Sequence, residues 1–256
     1  MLQFENLRAG YDGVERLHGI SAEIRPGCLT AIVGPNGCGK STLMKCAAGL
    51  LKTADGSVRL DGRSLCEIPE KERARRISYM PQSRIAPDIS VRRLAAHGRY
   101  PHLKWGQSLG KDDREIVEAV LERTGMLPFA DRSVSRLSGG ERQCAYLAMM
   151  LAQQTPVMLL DEPTAYLDLS SQFALMELLQ GLSREGRAAA AVLHDLPLAL
   201  EYADHVLLMQ DGRLVAEGTP DEVFRSGRIQ QVFGVDAARF EQGKYVFYRQ
   251  GQEVSK

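Results

Sequence analysis

The chain has 256 residues, and its 32 basic and 32 acidic side chains cancel, so no global field draws it to nucleic acid or to an anionic lipid surface. Apolar residues make up 44% and charged residues 25%, ordinary for a globular protein with room for one large domain carrying a smaller subdomain. No run approaches the ~20 apolar residues of a membrane helix, and Glu5 and Arg8 interrupt the start where a secretory leader would be uniformly apolar, so a cytosolic chain is expected.

Leu2 and Phe4, then Ile20, Ala22 and Ile24, alternate with polar residues. This spacing predicts an antiparallel sheet with one solvated face, turning at Tyr11-Asp12-Gly13. Residues 29–33 are a β-favouring run of the kind that forms a buried parallel strand. They lead into Gly34-Pro35-Asn36-Gly37-Cys38-Gly39-Lys40-Ser41, which fits the phosphate-binding pattern of Gly, four free residues, then Gly-Lys-Ser/Thr. Thr42, Leu43, Met44, Ala47, Leu50 and Leu51 continue as a predicted helix over 41–51. Strand, glycine loop and helix together aim backbone N–H groups and a helix dipole at one point, a cradle for polyphosphate. Lys40 would reach the β- and γ-phosphates, and the Ser41 hydroxyl would help ligate Mg²⁺.

Residues 56–60 form another strand before the Asp61-Gly62 turn, and 69–76 a short helix with Pro69 in its first turn. The charges of that helix read as a solvated face. A strand over 77–80 ends at Pro81-Gln82. From about residue 83 to 152 the pattern becomes helical. Ser90 caps one helix, residues 98–102 break it, and Asp112 and Asp113 start a second with Ile116, Val117, Val120 and Leu121 on its face and Gly125 at its stop. The α/β pattern returns with a buried strand over 157–160, a helix over 170–182, a strand over 188–193 and a helix from Pro197. A hairpin over 205–217 turns at Asp211-Gly212, Thr219 to Glu222 carries a capping box, and 244–248 is strand-like. Cys28, Cys38, Cys46, Cys66 and Cys144 form no CxxC pair and read as reduced thiols, with Cys38 a small residue filling a variable loop position.

The strand over 157–160 delivers Asp161 and Glu162 at its C-terminal end, where ligands sit in parallel sheets. One carboxylate there can hold magnesium, and its neighbour Glu162 can polarise an attacking water. Leu137-Ser138-Gly139-Gly140-Glu141 then opens another helix. Alone it reads as a capped helix start, and beside the other two motifs as a second anion-binding N-terminus.

The phosphate loop, LSGGE and LLDEP in this order resemble the ATP-binding-cassette (ABC) ATPases, from Leu2 to about Phe233. The resemblance implies an α/β fold: a P-loop NTPase core with an N-terminal antiparallel β subdomain and an inserted α-helical subdomain. Within one domain of 1–256, residues 1–82 and 153–235 would form the core, 83–152 the helical subdomain, and 236–256 a C-terminal tail. It places Tyr11 where an aromatic ring stacks on adenine and Gln82 where a glutamine joins the insertion to the Mg²⁺ site. Asp168 falls on the dimer-contact aspartate and His194 on the γ-phosphate histidine. It implies hydrolysis of ATP by a homodimer in which Ser138, Gly139, Gly140 and Glu141 face the partner's nucleotide.

The stretch 95–126, with PTAYLDLSSQ and AYLAMMLAQ, resembles the ATPase subunits of iron–siderophore, haem and cobalamin importers. Cys144 departs from a basic residue common there, and Pro197 lies within a helix. This resemblance implies integral-membrane permease subunits, an extracytoplasmic substrate-binding protein acting indirectly, and a peripheral position on the cytoplasmic face of the inner membrane. Trp105 and residues 98–102 would lie where the insertion meets the permease. Other importers, exporters and cassette ATPases without a membrane partner share the core motifs. DNA-repair ATPases need a long insertion for which 82–137 leave no room.

Overall fold

The computed structural model describes residues 1–83, 85–104, 106–239 and 245–249; Trp105, Lys244 and the polar end of the tail lie outside the described residues. Period-two alternation builds the first pair of strands. β1 (Leu2–Tyr11) and β2 (Val14–Ile24) run antiparallel around the Asp12-Gly13 turn, burying Leu2, Leu7, Leu17, Ile20 and Ile24. β3 (Leu29–Val33) is buried at every position, as a central parallel strand covered on both faces must be. α1 (Lys40–Ala47) is shorter than the predicted 41–51. Gly49 takes the left-handed position at φ +68°, and the Leu50 N–H folds back to the Lys45 carbonyl at 2.8 Å, leaving Leu50 exposed outside the helix.

β4 (Asp55–Leu60) and β5 (Arg63–Ser64) complete a four-stranded sheet in the order β2-β1-β4-β5. α2 (Glu70–Ala74) is preceded by Pro69 as its cap residue and leads to β6 (Ile77–Met80). Then come α3 (Val91–His97), α4 (Lys111–Arg123) and α5 (Gly139–Ala152). They close an apolar cluster of their own around Val91, Leu94, Leu121, Val134 and Ala148. The Ser90 hydroxyl accepts the Arg93 N–H at 3.2 Å, and Asp113 accepts the Gly110 N–H at 3.0 Å, so α4 starts just ahead of Asp112.

Residues 98–102 do more than break a helix. Arg99 is buried, donating to Asp113 Oδ1 at 2.9 Å, the Ala152 carbonyl at 2.8 Å and Gln154 Oε1 at 2.9 Å. His102 Nε2 lies 2.9 Å from the Gln153 carbonyl, while Tyr100 stays exposed. Arg99 and His102 thus hold the end of α3, α4 and the end of α5 together.

β7 (Val157–Asp161), α6 (Leu169–Arg184), β8 (Ala188–Val192), α7 (Leu196–Tyr202), β9 (His205–Gln210) and β10 (Arg213–Gly218) complete a six-stranded sheet in the order β10-β9-β3-β8-β7-β6. All its neighbours pair in parallel except β9 and β10. Ile32 of β3 and Asp161 of β7 both pair with Val192 of β8, so the chain leaves three strands side by side at one edge. α8 (Pro220–Arg225) opens on the Thr219/Glu222 capping box. The sequence pattern did not mark α9 (Arg228–Phe233) or β11 (Val235–Arg239); β11 pairs antiparallel with β12 (Tyr245–Arg249). The Tyr245 hydroxyl donates to Asp221 Oδ1 at 2.6 Å, tying this hairpin to α8. Among the described residues no helix is long and apolar enough to cross a membrane.

Candidate active site

The glycine loop is shaped by close approaches. A Cβ on Gly34 would stand 2.2 Å from the Met209 carbonyl, so only glycine lets the loop turn against β9. Gly39, at φ +105°, heads α1. Lys40 is only 5% exposed and curls back, donating to the Gly34 carbonyl at 2.7 Å and the Pro35 carbonyl at 2.9 Å. Among the described residues no side chain caps α1, and its first turn holds no acid. Its leading N–H groups and dipole are therefore left for an anion. Cys38 is buried, and burial pushes its thiol up, as fits a small filler beneath the loop.

Asn36, Gly37, Gly39, Lys40, Ser41 and Thr42 form one wall of a cleft of about 680 Å³. Tyr11, Gln82, Glu162 and His194 face the same space. The structure thus gathers these predicted residues at the edge where β3, β7 and β8 end, as the parallel register requires. Lys45 Nζ stands 5.5 Å from the centre of the Tyr11 ring. Asp161, 1% exposed, accepts hydrogen bonds from the Ser41 hydroxyl at 3.1 Å and the Tyr79 hydroxyl at 3.3 Å. Burial pushes its carboxyl up, and those two hydroxyls oppose the shift. Glu162 sits at φ +53°, a costly conformation for a non-glycine residue, with its Oε1 2.7 Å from His194 Nε2. Two residues here were not foreseen from the sequence, Tyr79 beneath Asp161 and Arg16 on the cleft wall. Nothing in their spacing marks them, because each reaches the site only through strand pairing.

Ser138, Gly139, Gly140, Glu141 and Asp168 are not among the residues lining this cleft. The Ser138 hydroxyl accepts the Glu141 N–H at 3.2 Å while Glu141 Oε2 accepts the Ser138 N–H at 2.7 Å, a closed capping box on α5. A Cβ on Gly139 would stand 3.1 Å from Tyr166 Cβ, so this helix end packs on the turn that follows Glu162. The buried Gln143 amide, one turn further along α5, donates to the Pro163 carbonyl. Asp168 caps α6 by accepting the Ser171 N–H at 2.8 Å, which holds its carboxyl below the usual carboxylate range.

Among the described residues no three His, Cys, Asp or Glu side chains come together as a metal site. Ser41 and Asp161 offer one hydroxyl and one buried carboxylate, with Gln82 in the same cleft. That donor set fits an octahedral cation such as Mg²⁺, which draws its remaining oxygens from polyphosphate and water.

A buried strand ending in Asp161-Glu162 beneath a glycine loop closed by Lys40 defines the site of a P-loop nucleoside triphosphatase. The ABC transporter family model matches residues 17–165, so the chain belongs to that family and is an ATP-binding ATPase of it. It is 45% identical over 236 residues to the ferric enterobactin transport ATP-binding protein FepC of Escherichia coli (strain K12), covering 91% of this chain and 87% of the relative. It is 41% identical over 242 residues to the hemin import ATP-binding protein HmuV of Pseudomonas entomophila (strain L48), covering 92% and 93%. The dimeric structure of MJ0796, a bacterial ABC transporter cassette, superposes with a TM-score of 0.78 at 25% identity, covering 86% of this chain and 99% of that one. The α/β architecture expected from the motifs is the one found.

Proposed function

We propose that this chain is the ATP-hydrolysing subunit of an importer for an iron–siderophore or related metal chelate. It would work as a homodimer on the cytoplasmic face of the inner membrane, bound to integral-membrane permease subunits and served indirectly by an extracytoplasmic substrate-binding protein. The observation that carries the import reading is similarity over about nine-tenths of the chain to subunits named for ferric enterobactin and hemin import. Residues 1–82 and 153–235 make the nucleotide core in this reading, 83–152 the permease-facing helical subdomain, and 236–256 a tail.

The chemistry follows from the cleft. Adenine stacks on Tyr11, and the phosphates lie along Gly34, Pro35, Asn36, Gly37, Cys38 and Gly39, with Lys40 turning from its loop carbonyls to the β- and γ-phosphates. Ser41 and Asp161 would hold Mg²⁺, with Gln82 and Thr42 lining the same cleft; when bound, the ion would neutralise charge on the phosphate oxygens. Glu162 takes a proton from the attacking water as the γ-phosphorus bond to its bridging oxygen breaks, giving ADP and phosphate. His194, now on the Glu162 carboxylate, orients that base and reaches the γ-phosphate. Ser138, Gly139 and Gly140 complete the cage from the partner chain, with Glu141 holding Ser138 and Asp168 near the shared surface.

The cargo does not touch this subunit, and relatives named for two different cargoes stand at similar identity. The test is therefore physiological and biochemical together. A tagged chain is expected to co-purify with a polytopic permease, and deletion of the gene to abolish uptake of a ferric siderophore supplied as sole iron source. Unchanged uptake of ferric siderophores, haem and cobalamin, with no redundant system present, overturns the cargo reading and leaves the ATPase intact.

A further inference from the structure

Arg16, on β2, lines the same cleft as Tyr11, Lys40 and Ser41, and none of the motifs accounts for it. Its backbone is held tightly against the phosphate loop. The Arg16 carbonyl oxygen lies 3.1 Å from where a Cβ on Gly39 would stand, and 2.4 Å from the corresponding point on Gly212. The Gly212 N–H donates to the Cys38 carbonyl at 3.0 Å, and the His18 N–H to the Gly212 carbonyl at 2.8 Å. β2, the glycine loop and the β9–β10 turn are thereby laced together, so the origin of the Arg16 side chain is registered to the loop.

The side chain itself is exposed and has no hydrogen-bond or ion-pair partner among the described residues. The acid that could have taken it is already engaged. Neighbouring Glu15 lies 3.4 Å from both Arg8 and His18, and Glu162 is held by His194 at 2.7 Å. Lys40 has a different setting, being buried and bonded to its own loop. An unpaired guanidinium registered to a polyphosphate cradle is a fork waiting for a phosphate oxygen.

We infer that Arg16 binds the α-phosphate of the nucleotide. This rests on the nucleotide-site reading above, in which Lys40 and Ser41 take the β- and γ-phosphates and Tyr11 the adenine. Arg16 belongs to the strand paired with the one that carries Tyr11, and its backbone abuts Gly39 at the head of α1. The group that bridges those two ends of ATP and carries charge is the α-phosphate. The contact is made to ATP and ADP alike, so it contributes uniform binding and leaves the chemical step alone.

The test measures ATP and ADP affinity and turnover of the full chain against Arg16→Ala and Arg16→Lys, with Lys40→Ala as reference. Arg16→Ala is expected to weaken ATP and ADP by the same factor, on the order of 10-fold, the usual value of a charge-assisted hydrogen bond. It should leave kcat within about twofold, and Arg16→Lys should restore part of the affinity. Unchanged affinity overturns the proposal, as does a loss confined to ATP. A loss that disappears with 2′-deoxynucleotides makes Arg16 a ribose contact and also overturns it. A loss accompanied by a lower melting temperature of the nucleotide-free chain, and not relieved by lysine, makes Arg16 a fold residue and likewise overturns the proposal. If Lys40→Ala keeps normal affinity and turnover, the nucleotide-site reading itself has failed, an outcome separate from the failure of Arg16 alone.

Discussion

Two helices of this protein begin on glycine-rich turns, and they end up with opposite chemistry. α1 follows Gly39, in a left-handed conformation, and among the described residues no side chain accepts its leading N–H groups. α5 follows Ser138, whose hydroxyl accepts the Glu141 N–H while the Glu141 carboxylate accepts the Ser138 N–H. Those bonds, the Ser138 backbone donor first, hold the Glu141 carboxyl below the usual carboxylate range. α5 therefore has one leading donor, the Glu141 N–H, taken by its own cap residue, and α1 has none so taken. A serine cap followed by two glycines in the first turn of a helix does not by itself make an anion site. What decides is whether the chain's own side chains consume the donors. In the proposed homodimer, the α1 end would bind nucleotide within its own chain, whereas the α5 end would offer Ser138 to a nucleotide carried by the second chain.

The sharpest way to break this division is Glu162→Gln. ATP affinity, set at the α1 end, is expected to persist while turnover falls on the order of 10²–10⁴-fold, the value of a positioned base. The ATP-bound chains should then accumulate as closed dimers, seen by light scattering with the permease present. A variant that stays monomeric under those conditions would remove the shared role given to α5.

A smaller effect is expected where the far end of α5 is clamped by Arg99. Asp113 is held below the ordinary carboxylate range first by the Arg99 hydrogen bond and then by the Gly110 N–H. With its folded pKa depressed, its contribution is present above the unfolded carboxylate value of about 4 and is lost as pH falls through the folded value. Asp113→Asn should cost about 2 kcal/mol at neutral pH, the scale of a hydrogen bond to a charged group. It should also flatten the acid limb of stability in denaturant titrations from about pH 5 downward. An acid limb as steep as that of the parent chain would show that this clamp does not set it.

The smallest effect belongs to the cap. Ser138→Ala should lower stability by about 1 kcal/mol and leave ATP affinity of the single chain untouched, yet reduce turnover of the assembled transporter. Reduced ATP affinity in the isolated chain would place Ser138 in its own chain's cleft and erase the contrast with α1.

The strand–loop–helix around Lys40, the acidic end of β7 and the capped start of α5 could be read in the sequence because each is a local pattern: a periodicity, a glycine spacing, a cap residue. So could most element positions, since alternation and cap chemistry act within a few residues. The over-long prediction for α1 failed because Leu50 and Leu51 continue the helical spacing while Gly49 has already closed the helix through backbone bonds. β11 was missed because Val235–Arg239 has a weak strand pattern of its own and gains its place by pairing with β12.

Only the tertiary structure brought Ser41 to Asp161 and His194 to Glu162, because those meetings depend on which strands neighbour β8 and in what register. It alone turned Arg99 inward, slid Tyr79 beneath Asp161 and left Arg16 unpaired at the cleft. A sequence specifies its backbone through short-range preferences, but a side chain's partners are set by sheet order and close approach, which no local spacing records.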